Sequence, residues 1–79
     1  MKTTKYFNEQ VIRKRPYIKT EWIEQILDIP IRKEVQPDGR IRLWGFINDV
    51  QKYFRVVTLS DGETVHNVFP DRNFKEDKK

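Results

Sequence analysis

Up to Pro30 the apolar positions recur every three or four places; from Ile31 onward they recur every second place. The first rhythm belongs to helices covered on one side, the second to half-buried strands. In the leading part, "EQVIRKR" reads as a short helix with Asn8 as its cap, and Phe7 and Ile12 have the spacing of a hydrophobic staple. Pro16 ends it. A second helix, "EWIEQILD", follows Thr20 as cap, and its Trp22, Ile23, Ile26 and Leu27 form one stripe. Pro30 stops that helix, because the residue before a proline is driven out of the helical region. The rest divides into strands at about 31–36, 40–47, 52–59 and 63–69. The turns "PDG", "NDVQ" and "SDG" are short enough to join only antiparallel neighbours. The expected fold is α+β: two short N-terminal helices packed on a four-stranded antiparallel β-meander. It forms a single domain over residues 7–74, with residues 1–6 and 75–79 as frayed termini.

The first hairpin can be read to the residue. Pro37 fits the second position of a type I turn and Gly39 the left-handed bulge that follows. Gln36 then faces Arg40, Val35 faces Ile41, and Glu34 faces Arg42, so apolar meets apolar and acid meets base. Val35, Ile41 and Leu43 point inward; Glu34, Gln36, Arg40, Arg42 and Trp44 point to the other face. In the last hairpin an "SDG" bulge turn sets Val57 against Val65, Val56 against His66 and Arg55 against Asn67. The middle hairpin has two solutions. A four-residue loop sets Trp44 against Arg55 and gathers Arg40, Arg42 and Arg55 on a face without His66. A five-residue loop sets Trp44 against Phe54 and brings His66 to Arg40 and Arg42.

Composition narrows the function classes. The 79 residues hold sixteen basic and twelve acidic side chains, a formal net charge of +4, which suits a phosphate-rich partner. Lys2, Lys5, Lys78 and Lys79 account for part of that excess as solvated terminal charges. With no cysteine and one histidine, disulfides, thiolate metal sites and a structural zinc are excluded. The glycines are too few and scattered for a phosphate loop, and no nucleophile elbow or carboxylate cluster occurs, so no cofactor and no metal are expected. The apolar runs are too short to span a bilayer and "MKTTKYF" lacks a signal core, so a cytoplasmic protein with no membrane partner is expected.

The strings "RKRPYIKTEWIEQIL", "EVQPDGRIRLWG" and "YFRVVTLSDGETVHNVFPDRNF", spread over residues 7–74, resemble a family of small bacterial proteins of unknown function. More loosely, the chain resembles the RelE/ParE/BrnT group of small toxins. That resemblance implies helices on a twisted antiparallel sheet, metal-free RNA cleavage by basic and His or Tyr side chains on the open face, and a cognate antitoxin. Many of that group carry a histidine in the N-terminal segment; here "NEQVIRKRP" has none, and the histidine lies in the last strand.

Metal-free RNA cleavage needs a base for the 2′-OH, cations for the phosphate and an acid for the leaving oxygen. His66 titrates near neutrality, Arg42 can fork onto phosphate, and Tyr53 or Glu34 can carry the second proton. The candidate catalytic set is His66, Arg42 and Tyr53. The candidate nucleic-acid contacts are Arg13, Lys14, Arg15, Arg40, Arg42, Arg55 and Arg72, with Trp44 as a stacking platform for bases. Each has a structural counterpart: His66 bonded within the sheet, Arg42 paired with Glu34, the Arg13–Arg15 run matched to a helix C-terminus, Asp71 and Arg72 closing a sheet edge, and the aromatics as core. The other class of function is a non-catalytic module docking a protein partner, or a second copy as a homodimer, through the sheet face or edge.

Overall fold

The computed structural model describes residues 1–76. Two short helices precede four strands, and the strands lie in sequence order in one antiparallel sheet. The first helix, α1, opens with Lys5 and Tyr6 already helical, runs through a π-helical segment, Phe7–Val11, and ends in an α-helical turn, Ile12–Lys14. The second, α2, spans Thr20–Asp28. The strands are β1 (Arg32–Val35), β2 (Ile41–Ile47), β3 (Lys52–Thr58) and β4 (Val65–Pro70). Among the described residues no helix is long and apolar enough to cross a membrane.

The helix starts differ from expectation. Asn8 does not cap α1; Thr4 does, its hydroxyl accepting from the Phe7 N–H at 3.1 Å and its carbonyl from the Asn8 N–H at 3.1 Å. Asn8 instead lies inside the helix and accepts from the Thr3 hydroxyl. Nor does Thr20 cap α2: it is already helical, and the extended Lys19 before it supplies only its carbonyl, to Trp22 and Ile23. The apolar stripe holds. Trp22, Ile23 and Ile26 are buried and Leu27 packs beside them. Helix and sheet meet closely at Gly45, where a Cβ would lie 2.6 Å from Ile26 Cγ1. A larger residue there would push the helix off the strand.

The first hairpin forms in the register read above, with Val35 opposite Ile41, Glu34 opposite Arg42, the Gln36 N–H on the Arg40 carbonyl, and Gly39 at φ +90°. Val35 shares the inward face but is 69 % exposed, because α2 packs over β2 and β3 and leaves this edge uncovered. The middle loop takes the four-residue solution: Ile47 pairs with Lys52, and Trp44 with Arg55. It closes with Gln51 in the left-handed region at φ +54°, its side-chain amide donating to the Asn48 carbonyl. The last hairpin departs from the predicted register. Its turn is longer, with the Leu59 N–H on the Thr64 carbonyl, so Val65 faces Thr58, and a bulge at His66 then brings Asn67 opposite Val57. Val56 accordingly faces Val68, and Arg55 faces Phe69.

The core lies between the helices and one sheet face: Phe7, Val11, Ile18 and the α2 stripe against Ile41, Leu43, Ile47, Phe54, Val56, Val65 and Val68. Residues 2–4, expected to fray, lie parallel to β4, with the Val65 N–H on the Lys2 carbonyl and the Thr4 N–H on the Val65 carbonyl. At the other end Phe74 is buried. The terminus expected to fray over residues 75–79 is described as far as Glu76, which accepts from Tyr53, and residues 77–79 lie outside the described part.

Candidate nucleic-acid interface

The second face of the sheet is built by alternation. Glu34, Arg42, Val57 and Asn67 form one row across the strands, and Arg32, Trp44, Arg55 and Phe69 the next. Phe46 and Tyr53 follow at the far end. The chain leaves β4 at Pro70 and folds back over this end as a strap. Phe74 stacks on Trp44 with ring centroids 5.2 Å apart and meets Tyr53 edge-on at 5.1 Å. Its ring also takes the Arg32 guanidinium at 5.1 Å. A connected file of cations and rings results: Arg15 and Arg55 both over Phe69, Arg55 also over Trp44, Trp44 stacked on Phe74, and Arg32 over Phe74.

Asp71 anchors the strap. Its Oδ2 accepts from the Trp44 indole N–H at 2.9 Å and from Arg55 Nη2 and Nε at 3.1 and 3.3 Å. Its Oδ1 accepts from the Asn73 N–H, which shapes the turn back over the sheet. Burial pushes this carboxyl up, but the Trp44 and Asn73 hydrogen bonds and the charge of Arg55 outweigh it and hold it below its ordinary value. Of the two residues expected to close a sheet edge, Asp71 pairs with Arg55 of β3 and Arg72 stays exposed.

The three candidate catalytic side chains do not meet. Tyr53 lies opposite Phe46, whereas the His66 bulge lies beside Val57 and Thr58. Four strand positions separate them, roughly 13 Å at a rise of about 3.3 Å per residue. Tyr53 donates its phenol proton to Glu76 at 2.6 Å, and that bond, with some burial, raises its pKa and makes it a poorer acid. His66 turns to the N-terminal segment: its Nδ1 is 3.0 Å from the Thr4 hydroxyl and its ring stacks on Tyr6 at 4.8 Å. The Thr4 hydroxyl already accepts from Phe7, so its own proton is free for Nδ1. Burial and then the charge of Arg40 lower the histidine pKa, which favours that neutral ring. Arg42 lies two strands from β4.

The candidate nucleic-acid contacts divide into three groups. Trp44 is buried beneath Phe74 and is no platform for a base while the strap is in place. Arg55 is engaged by Asp71 and two rings. Arg40 and Arg42 stand at the hairpin-turn end of the face, away from the residues that the strap touches. Arg42 meets Glu34 only loosely, at 3.8 Å, and its Nε is buried without an acceptor. Arg40 is 3.9 Å from Asp38 within the turn. Arg13 and Lys14 are exposed on α1, and Arg15 leans over Phe69.

The strap was missed in the sequence. Its signal was a lone phenylalanine in a charged tail, directly after an Asp-Arg-Asn turn. Searches against family models, curated proteins and solved structures found no match to this chain.

Proposed function

We propose that the protein is a non-catalytic RNA-docking module, and that the phosphate backbone is held at the bare end of the second sheet face by Arg40 and Arg42. The observation that carries this reading is the middle register. Trp44 opposite Arg55 puts Arg40, Arg42 and Arg55 on one face, with His66 turned toward Thr4 and Tyr53 far from both. Guanidinium groups fork onto phosphate without chemistry, while the His66 ring is engaged by Thr4 and the Tyr53 phenol by Glu76. The RelE/BrnT-like likeness supports a basic sheet face as the working surface and leaves cleavage without a geometry.

The test is incubation of the pure protein with a mixed single-stranded RNA pool in EDTA, at low and moderate salt, following binding and cutting together. Binding should weaken with salt at a log–log slope of about −1.4 for the two phosphate contacts of Arg40 and Arg42. Arg42→Ala should weaken binding several-fold with little loss of folding, and the RNA should stay intact. Cutting abolished by His66→Ala would make the protein a ribonuclease instead. Absence of salt-sensitive binding would remove RNA as the partner.

A further inference from the structure

The strap sets two chemical groups on the second sheet face. A flat ring, Phe74, lies on the Trp44 indole at 5.2 Å and 16° from parallel, with Tyr53 meeting it edge-on. An anion, the Asp71 carboxylate, sits at the N–H edge of the same indole. One of its oxygens takes that N–H and two more from the Arg55 guanidinium. A ring to stack and an anionic oxygen for a guanidinium are the two parts that one nucleotide carries, base and phosphate. Arg42 stands two places along β2 from Trp44 on the same face, about 7 Å away at a rise of about 3.3 Å per residue. The covered groups thus continue the line of the bare ones.

We infer that the strap covers a nucleotide subsite for single-stranded RNA, in which a base replaces Phe74 on Trp44 and a phosphate oxygen replaces Asp71 Oδ2 on Arg55. The inference rests on the RNA-docking reading and extends it from two phosphate contacts to a stacked base. The strap can lift without disturbing the core. Its backbone is tied to the sheet by the Asp71 N–H on the Tyr53 carbonyl, whereas the Phe74 N–H bonds back to the Asp71 carbonyl within the strap. Beyond Asp71 the strap meets the sheet through side chains: Phe74 against Trp44, Tyr53 and Arg32, and Glu76 on the Tyr53 phenol at an exposed position. Trp44, Asp71 and Phe74 all lie outside the apolar cluster beneath the helices. RNA and strap therefore compete for one place, and the apparent affinity is the intrinsic one reduced by the fraction of molecules with the strap open.

The experiment compares the parent with Phe74→Ala, which empties the base position without changing the charge. The probes are a fluorescein-labelled oligoadenylate, the same strand made abasic, and adenosine 5′-monophosphate, all in EDTA. Phe74→Ala should bind the oligoadenylate about tenfold more tightly than the parent does, with no such gain on the abasic strand. The mononucleotide should bind the variant far more weakly than the strand, because it lacks the contacts at Arg40 and Arg42. NMR of the parent makes the test independent of how well the variant folds. At saturating oligoadenylate the Trp44 indole N–H signal should move and its cross-peaks with Phe74 should vanish, while the Trp22 indole, bonded to Asp49, stays where it was. A variant that binds no tighter, beside a parent that binds in a salt-sensitive way, overturns the subsite and leaves phosphate docking standing. So does a Trp44 signal unmoved at saturation. An equal gain on the abasic strand overturns the base position, since the strap would then merely screen phosphate contacts. Mononucleotide binding as tight as the strand's overturns a strand as the occupant, and no binding by either protein removes the subsite together with the RNA-docking reading.

Discussion

The two faces of the sheet are stabilised by different physics. Beneath the helices the contacts are apolar, aliphatic and aromatic together: among the described core residues the polar exception is Thr58, whose hydroxyl donates to the Leu59 carbonyl. Such burial is non-directional and indifferent to pH, and its strength follows area and fit. Beneath the strap the contacts are rings, guanidinium groups and one carboxylate that receives three donors on a single oxygen. These interactions depend on angle, on ionisation and, at the exposed rim, on salt. The same sheet therefore has one side that holds the fold and one whose cover can be released without dissolving the core.

The sharpest way to break this contrast is to remove its strongest member. Phe54→Ala, fully inside the helix face and in contact with Trp22, should cost about 3–5 kcal/mol in urea unfolding, with the whole chain losing structure together. Phe74→Ala should cost less, roughly 1.5–3 kcal/mol, and its effect should be local. Trp44 would become accessible to acrylamide while amide protons of β2 and β3 stay protected. If those protons lost protection to the same degree, the faces would not be separable.

Asp71→Asn should cost about 1–3 kcal/mol, because it leaves Arg55 without its counter-charge. It should also change the acid limb. Asp71 is held below its ordinary 3.8, so its contribution is complete above about pH 5 and is lost as pH falls through the lowered folded value. The variant should lack that part of the slope. Asp61, lowered to about 2 by hydrogen bonds from the Thr64 hydroxyl and from the backbone N–H groups of Thr64 and Glu63, titrates in the same range, so the carboxyl carbons should be followed by NMR. The smallest effect is at His66. Burial and Arg40 lower its pKa below 6.5, so stability is full above that value and declines as pH falls through the folded one. Arg40→Ala should move the imidazole titration partway back toward 6.5, and an unmoved titration would place the shift in burial alone.

Legibility in the sequence followed the strength of local chemistry. Pro37, Asp38 and Gly39 fit a bulged type I turn, and the pairs it makes, Val35 with Ile41 and Glu34 with Arg42, select the register of the first hairpin. "NDVQ" has no glycine; its four-residue form depends on Gln51 accepting a left-handed backbone, for which the residue gives no sign. The bulge at His66 is likewise set from outside, where Thr4 and Tyr6 meet the ring. Of the candidate site, the grouping of Arg40, Arg42 and Arg55 was one of two readings in hand. The covering of Trp44 and the capture of Arg55 were not, because both depend on Phe74 and Asp71 returning across the sheet. Thr4 was overlooked as a cap because its helix begins earlier than the apolar periodicity does.

The pairing of residues 2–4 with Val65 has a consequence for the order of folding. Thr4 and His66 stand 62 positions apart, so the ordering of α1's cap must wait for the closure of nearly the entire chain. Hairpins of neighbouring strands can form within microseconds, whereas contacts of this separation are the slow ones. During synthesis residues 2–4 would emerge well before β4 yet become secure only with it, and Phe7 and Val11 would stay solvent-accessible until β4 arrives.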